Sequence, residues 1–201
     1  ASFDYKDNLG TGMINYVPSQ IIEAESFGET VSDNWFVSVE GSDILPDMFI
    51  GRLTVESCSE ADDIVDKIIR YEQDPPDDSW NKKVLLVADD GNSRDGYSYA
   101  YEIMSEQIAD QLPSYYTTNK VYARYYPPED HPMTDINNHI NAGSILVSYF
   151  GHGSVHLWGR WNSNYIYSIY YARTLDNAHK LPVVTAANCL NGYFVGTKTS
   201  M

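Results

Sequence analysis

His152 and Cys189 are the side chains whose surroundings point to covalent chemistry. Each closes an apolar run: Ser144 to Phe150 leads into Gly151-His152-Gly153, and Pro182 to Ala187 leads into Asn188-Cys189. A free thiol is mostly protonated at neutral pH, with a reference pKa of about 8.5. A neighbouring imidazole can take that proton or stabilise the thiolate, which gives a strong nucleophile for carbonyl carbon. The imidazole needs a group that fixes its orientation, and a third apolar run, Val84 to Ala88, ends in Asp89-Asp90. Asp90 is the candidate carboxylate. An attacked carbonyl also needs hydrogen-bond donors for its developing oxyanion. Gly153 leaves a bare backbone N–H just past His152, and the N–H of Cys189 is a second donor.

These residues meet only if the three runs are neighbouring strands of one sheet. Val84 to Ala88 is apolar at every position, which suits a strand buried on both faces, as in parallel sheets, and the other two runs are expected as buried strands like it. Between them the sequence predicts helices. One covers about 96–112, with Ile103, Gln107, Ile108 and Leu112 toward one side. Another is capped by Thr134 and ends at Gly143. A short strand is expected over 120–124, and a Trp/Tyr-rich loop and a helix over about 165–176 precede the last run. The alternation of strand and helix is that of a parallel α/β sheet. In such sheets sites lie beyond the carboxyl ends of the strands, and adjacent strands are only about 4.8 Å apart. Upstream, Ser57 and Glu60 have capping-box spacing, and Ala61, Ile64, Val65, Ile68 and Ile69 then recur at helical spacing until Pro75-Pro76. Trp35 to Val39 and Met48 to Leu53 read as extended segments.

Composition narrows the partners. The net charge of −15 argues against nucleic acid, which needs a basic face. No apolar run approaches the roughly 20 residues of a membrane span. The acidic, tyrosine-rich chain opens without a leader peptide and fits a secreted or cell-surface protein. Its two cysteines cannot build a disulfide framework; Cys58, in the first turn of a helix, reads as structural. His152 and His156 have the spacing of a helical zinc pair, but Gly153 replaces the glutamate such a site requires and disfavours helix. Asp33, Asp43 and Asp47 are hard oxygen ligands in loop sequence, a candidate calcium set. Arg52 and Arg70 read as ion-pair partners. Trp158, Trp161 and Tyr165 wall a substrate pocket or belong to the core.

The order of these segments resembles the gingipain family of cysteine peptidases, a caspase-like group. The matching residues are Tyr149-Phe150-Gly151-His152-Gly153-Ser154, Trp158-Gly159, Leu181-Pro182 and Ala187-Asn188-Cys189-Leu190-Asn191-Gly192. Upstream, Ser32 to Phe36, Leu45-Pro46-Asp47, Ile50 to Leu53 and Ile68 to Glu72 also match. The resemblance implies a caspase-like, gingipain-type three-layer α/β domain whose mainly parallel central sheet is flanked by helices. It implies a cysteine endopeptidase in which Cys189 is the nucleophile, His152 the general base and acid, Asp90 the supporting carboxylate, and Gly153 and Cys189 the oxyanion donors. No catalytic cofactor is implied, only structural calcium. Residues 1–201 then form one domain, incomplete at both ends, with an N-terminal part over 1–79 and the catalytic residues in 80–201. Arg-cleaving members carry an acid in the specificity pocket where this chain has Ser98, which removes the basis for a preference for basic residues. The implied partners are protein or peptide substrates and other segments of the same precursor, in a bacterial setting. Two other readings share the sequence: a sorting transpeptidase, in which an amine resolves the thioester, and an inactive surface or adhesion module using its Tyr/Trp-rich face.

Overall fold

Val84 to Ala88 is apolar at every position because both of its faces are covered. Leu85 and Val87 point into one core, with Val147, Ile136 and Met133. Val84, Leu86 and Ala88 point into the other, against Tyr101, Ile108, Ala109 and Leu112. Alternate residues of a strand face opposite sides, so a run without polar interruption marks an interior strand. The computed structural model describes residues 17–25, 28–43, 45–55, 57–74, 77–91, 99–127, 129–161 and 164–194, with the side chains of positions 160, 161 and 164 outside that description.

The chain divides into two compact units, one of residues 74–192 and one of residues 1–73 and 193–200. In the smaller unit, β1 (Gln20–Ala24) pairs antiparallel with β2 (Gly28–Ser32). Helix α1 (Cys58–Gln73) follows. The Ser57 half of its capping box forms: Ser57 Oγ accepts from the N–H of Glu60 at 3.2 Å. Its apolar stripe stays open, with Val65, Ile68 and Ile69 all exposed. Residues 35–39, expected as a strand, are instead led by a 3-10 turn over Asn34–Val37. Phe36 N–H donates to Asp33 O and Ser38 N–H to Asn34 O, both at 3.0 Å. These local bonds satisfy the backbone without a partner strand, and Trp35 and Phe36 remain exposed. The expected ion pair of Arg52 is present, with Asp33 at 2.6 Å.

The larger unit runs β3 (Lys83–Ala88), α2 (Ala100–Gln111), β4 (Thr117–Tyr122), α3 (Pro132–Ala142), β5 (Leu146–Phe150), β6 (Gly153–Ser154), β7 (Leu157–Trp161), β8 (Asn164–Ser168), α4 (Ile169–Ala172) and β9 (Val183–Ala187). The main sheet is wholly parallel, in the order β4-β3-β5-β9. It is the middle layer of three. Helix α2 packs on one face. Helix α3 and the antiparallel β6-β7-β8 sheet cover the other. The α/β architecture is therefore as expected, with four local corrections. Strand β9, expected to be buried like β3 and β5, is exposed at all five positions, because it lies at the edge of the sheet. The buried face of α2 carries Glu102 and Ser105, with Tyr101, Ile108 and Ala109 beside them, whereas Ile103 is exposed. Helix α3 starts two residues before Thr134, with Pro132 in its first turn, where the missing N–H of proline does no harm. The span 165–176 is mostly strand β8 and a single helical turn, because Tyr167 and Ile166 are drawn into the core beside Trp158.

Gly143 ends α3 at φ +98°, and a Cβ there would lie 2.9 Å from Trp80 Cγ; both conformation and space require glycine. Leu85 is fully buried, so Leu85→Ala should lower stability by about 2–5 kcal/mol. Val183, on the edge strand, is 60% exposed, and Val183→Thr should change it by only about 0.5 kcal/mol or less. Urea denaturation of the two variants checks the contrast.

Candidate active site

Register places the three strand ends on one level. Ala88 is paired with Phe150, and Phe150 with Ala187. Asp90, His152 and Cys189 each lie two residues beyond that row, on three consecutive strands. The ladder continues past the strands: Asp89 N–H donates to Phe150 O at 2.9 Å, and Gly151 N–H to Ala187 O at 3.4 Å. His152 and Cys189 are both exposed. The imidazole stands edge-on to Tyr101 of α2, with ring centroids 5.7 Å apart at 81°.

The two turns approach so closely that only glycine fits at 153. A Cβ there would lie 2.5 Å from Asn188 Nδ2 and 2.6 Å from the carbonyl oxygen of Cys189. The backbone after His152 is thus in contact with the backbone of Cys189. Gly151 is equally confined, between Tyr149 and Asp89.

The His152 backbone is held on both sides. Its N–H donates to Asp89 Oδ2 at 2.9 Å. Its carbonyl accepts from the Tyr149 hydroxyl at 2.7 Å and from Gly159 N–H at 2.8 Å. Asp89 is 2% exposed and its other oxygen accepts from Asp90 N–H at 2.8 Å. Burial pushes its carboxyl up to about 6, against the lowering effect of those two backbone N–H groups. Burial likewise raises the Tyr149 phenol, so it remains an O–H donor. Arg124 secures the end of β3: Nη2 donates to the carbonyls of Asp90 and Gly91, Nε pairs with buried Glu102 at 2.7 Å, and the guanidinium lies over Tyr99, 4.0 Å from its centroid.

Among the expected pocket residues, Trp158 takes the core alternative. It is 3% exposed and stacks on Tyr149 at 4.5 Å and 4°, so it supports the His152 turn from beneath rather than walling an open pocket. Ser98 and the Trp161 side chain lie outside the described residues. The three carboxylates of the expected calcium set each have protein partners. Asp33 is paired with Arg52, Asp47 accepts from the N–H groups of Val39 and Glu40, and Asp43 accepts from Leu45 N–H. Among the described residues no three His, Cys, Asp or Glu side chains converge as a metal site. Sequence reasoning singled out Asp90 and missed the anchoring roles of Asp89, Tyr149 and Arg124. Asp89 stood out as the neighbour of Asp90 in an acidic pair and Tyr149 as part of the segment that ends in His152, but nothing in the sequence marked Arg124.

With this geometry in view, comparison with known proteins is direct. The model of peptidase family C25 matches residues 1–201, and the chain belongs to that family. It is 28% identical over 165 residues to Gingipain R2 of Porphyromonas gingivalis, covering 82% of this chain and 22% of the relative. It is 30% identical over 143 residues to Lys-gingipain W83 of the same organism, covering 70% of this chain and 8% of the relative. The crystal structure of the Arg specific cysteine proteinase gingipain R superposes with a TM-score of 0.68 at 25% identity, over 92% of this chain and 40% of that one. A complex of RgpB pro- and mature domains matches at the same TM-score. This chain thus spans less than half of that protease and about a fifth of Gingipain R2.

Asp89 gives the site a pH signature. Its carboxyl prefers the neutral form in the fold, relative to about 3.9 when unfolded. Stability from this group is therefore full below about pH 4, falls as pH rises toward about 6, and is level above that. Urea denaturation at several pH values should show the difference between the wild type and Asp89→Asn declining over that window. A difference that does not vary with pH would contradict the assignment.

Proposed function

We propose that this chain carries the acyl-transfer centre of a cysteine endopeptidase. The observation that supports it most is the equal offset of His152 and Cys189 beyond the paired residues Phe150 and Ala187. Family membership agrees with it. The Cys189 thiol gives its proton to His152, and Sγ attacks the peptide carbonyl carbon. The tetrahedral oxyanion is met by the N–H groups of Gly153 and Cys189. The leaving amine departs with the proton from His152, which leaves a thioester. Water, deprotonated by His152, then attacks the thioester and releases the acid and the free thiol. Asp90 is the carboxylate that supports the imidazolium.

Substrates are proteins or peptides. Ser98 stands where Arg-cleaving members carry an acid, so that acid is not there to favour an Arg side chain next to the cleaved bond. The bacterial relatives and the acidic composition favour a secreted or cell-surface protein, and other segments of its own precursor are candidate partners. No helix among the described residues is long and apolar enough to cross a membrane.

In the complete natural protein, Cys189→Ala should abolish hydrolysis of labelled casein, and His152→Ala should reduce it by roughly 10²–10⁴-fold. A positional peptide library should show no enrichment of Arg before the cleaved bond. Undiminished casein hydrolysis by Cys189→Ala would refute the reading.

A further inference from the structure

One side chain that the acyl-transfer steps do not use joins the turn after Cys189 to the hairpin after His152. Asn191 is only 9% exposed. Its Nδ2 donates to the carbonyl of Ser154 at 2.5 Å and to that of Leu157 at 3.2 Å. Those carbonyls flank the Val155-His156 turn between β6 and β7. Its Oδ1 accepts from Asn188 Nδ2, the residue just before Cys189. An amide alone among neutral side chains offers two N–H donors on one atom and an acceptor on the other. The reverse orientation would set oxygen against two carbonyls, so the partners fix which way the amide faces.

The hairpin that Asn191 grips is the one that holds His152. Gly153 pairs with Trp158, and Gly159 N–H donates to His152 O at 2.8 Å. A continuous path of hydrogen bonds and main chain therefore runs from Cys189 through Asn191 and the hairpin to His152. Between Cys189 and Asn191 lies Leu190 at φ +63°. A branched side chain is disfavoured there and persists only where the surroundings over-determine it. The Asn188–Asn191 contact and the two carbonyl bonds constrain the turn from both sides.

We propose that Asn191 is a positioning residue that holds the Cys189 turn against the His152 hairpin and so sets the separation of thiol and imidazole. The proposal rests on reading those two groups as the reacting pair. Asn191→Ala removes the amide donor to both carbonyls. Asn191→Asp aims carboxylate oxygen at them.

The test uses the second exposed cysteine, Cys58, as a reference within each molecule. The complete natural protein is treated with iodoacetamide at pH 6, and the rates at Cys189 and Cys58 are read by peptide mapping. A thiol activated by an imidazole should outpace an ordinary one by about tenfold or more at this pH. Both Asn191 variants should bring the Cys189-to-Cys58 ratio down toward that of His152→Ala, while the circular-dichroism melt stays cooperative. Asn188→Ala, which frees the Asn191 amide to turn, should lower the ratio by a smaller factor and serves if the Asn191 variants do not fold. A wild-type ratio near one, or a ratio unchanged in the folded variants, would overturn the proposal. Failure of the peptidase reading shows separately, as casein hydrolysis that survives Cys189→Ala.

Discussion

The in-register row Ala88–Phe150–Ala187 is the constraint on which the site depends. Parallel strands carry no hairpin to set their alignment; burial on both faces fixes it for β3 and β5, and the backbone ladder to β5 aligns the exposed edge strand β9. Shifting β5 by one residue would send Val147 and Tyr149 out of the core that contains α3. Once that register is set, Asp90, His152 and Cys189 emerge together at the carboxyl edge of the sheet. The crossovers through α2 and α3 then only need to return the chain to the right neighbour, and the loops beyond the strands carry the chemistry.

Strand ends alone do not fix a side chain to within the few tenths of an ångström that proton transfer needs. Buried polar groups supply the rest. Asp89 and Asn191 are each mostly withdrawn from water yet hydrogen-bonded to backbone groups of the turns they hold. Leaving such a group unpaired would cost about 1–3 kcal/mol, so each can be satisfied only if its turn adopts the observed path. Tyr149, stacked between the sheet and Trp158, ties the hydrophobic core to the carbonyl of His152. Arg124 does the same for the end of β3 while neutralising buried Glu102. Packing and site geometry are thereby one network.

The parts legible in the sequence were those whose signal is local. Three mainly apolar runs, only the first of them uninterrupted, identified β3, β5 and β9, and Ser57 with Glu60 marked the start of α1. His152 and Cys189 stood out because glycine and asparagine break the apolar runs just before them. What stayed hidden depends on partners far along the chain. Asn191 bonds to carbonyls 34 and 37 residues away, and nothing in Leu190-Asn191-Gly192 records that. Asp89 and Asp90 differ only in which side of the strand they face, so the buried member could not be told from its neighbour. Strand β8 was read as helix because Tyr165 to Ser168 carries no clean alternation; its pairing with β7 is what makes it a strand. Trp158 was ambiguous between pocket and core until its stacking on Tyr149 was seen.

The central claim, that strand register brings Cys189 beside His152 as nucleophile and base, is tested most directly by trapping the covalent intermediate. The complete natural protein is mixed with a labelled peptide ester, quenched in acid within milliseconds to seconds, and mapped by mass spectrometry. The account predicts an acyl group on Cys189 as an acid-stable thioester, none on Cys58, and loss of the adduct in His152→Ala. Turnover with the acyl group on another residue, or an adduct on Cys189 that forms equally fast without His152, would contradict it.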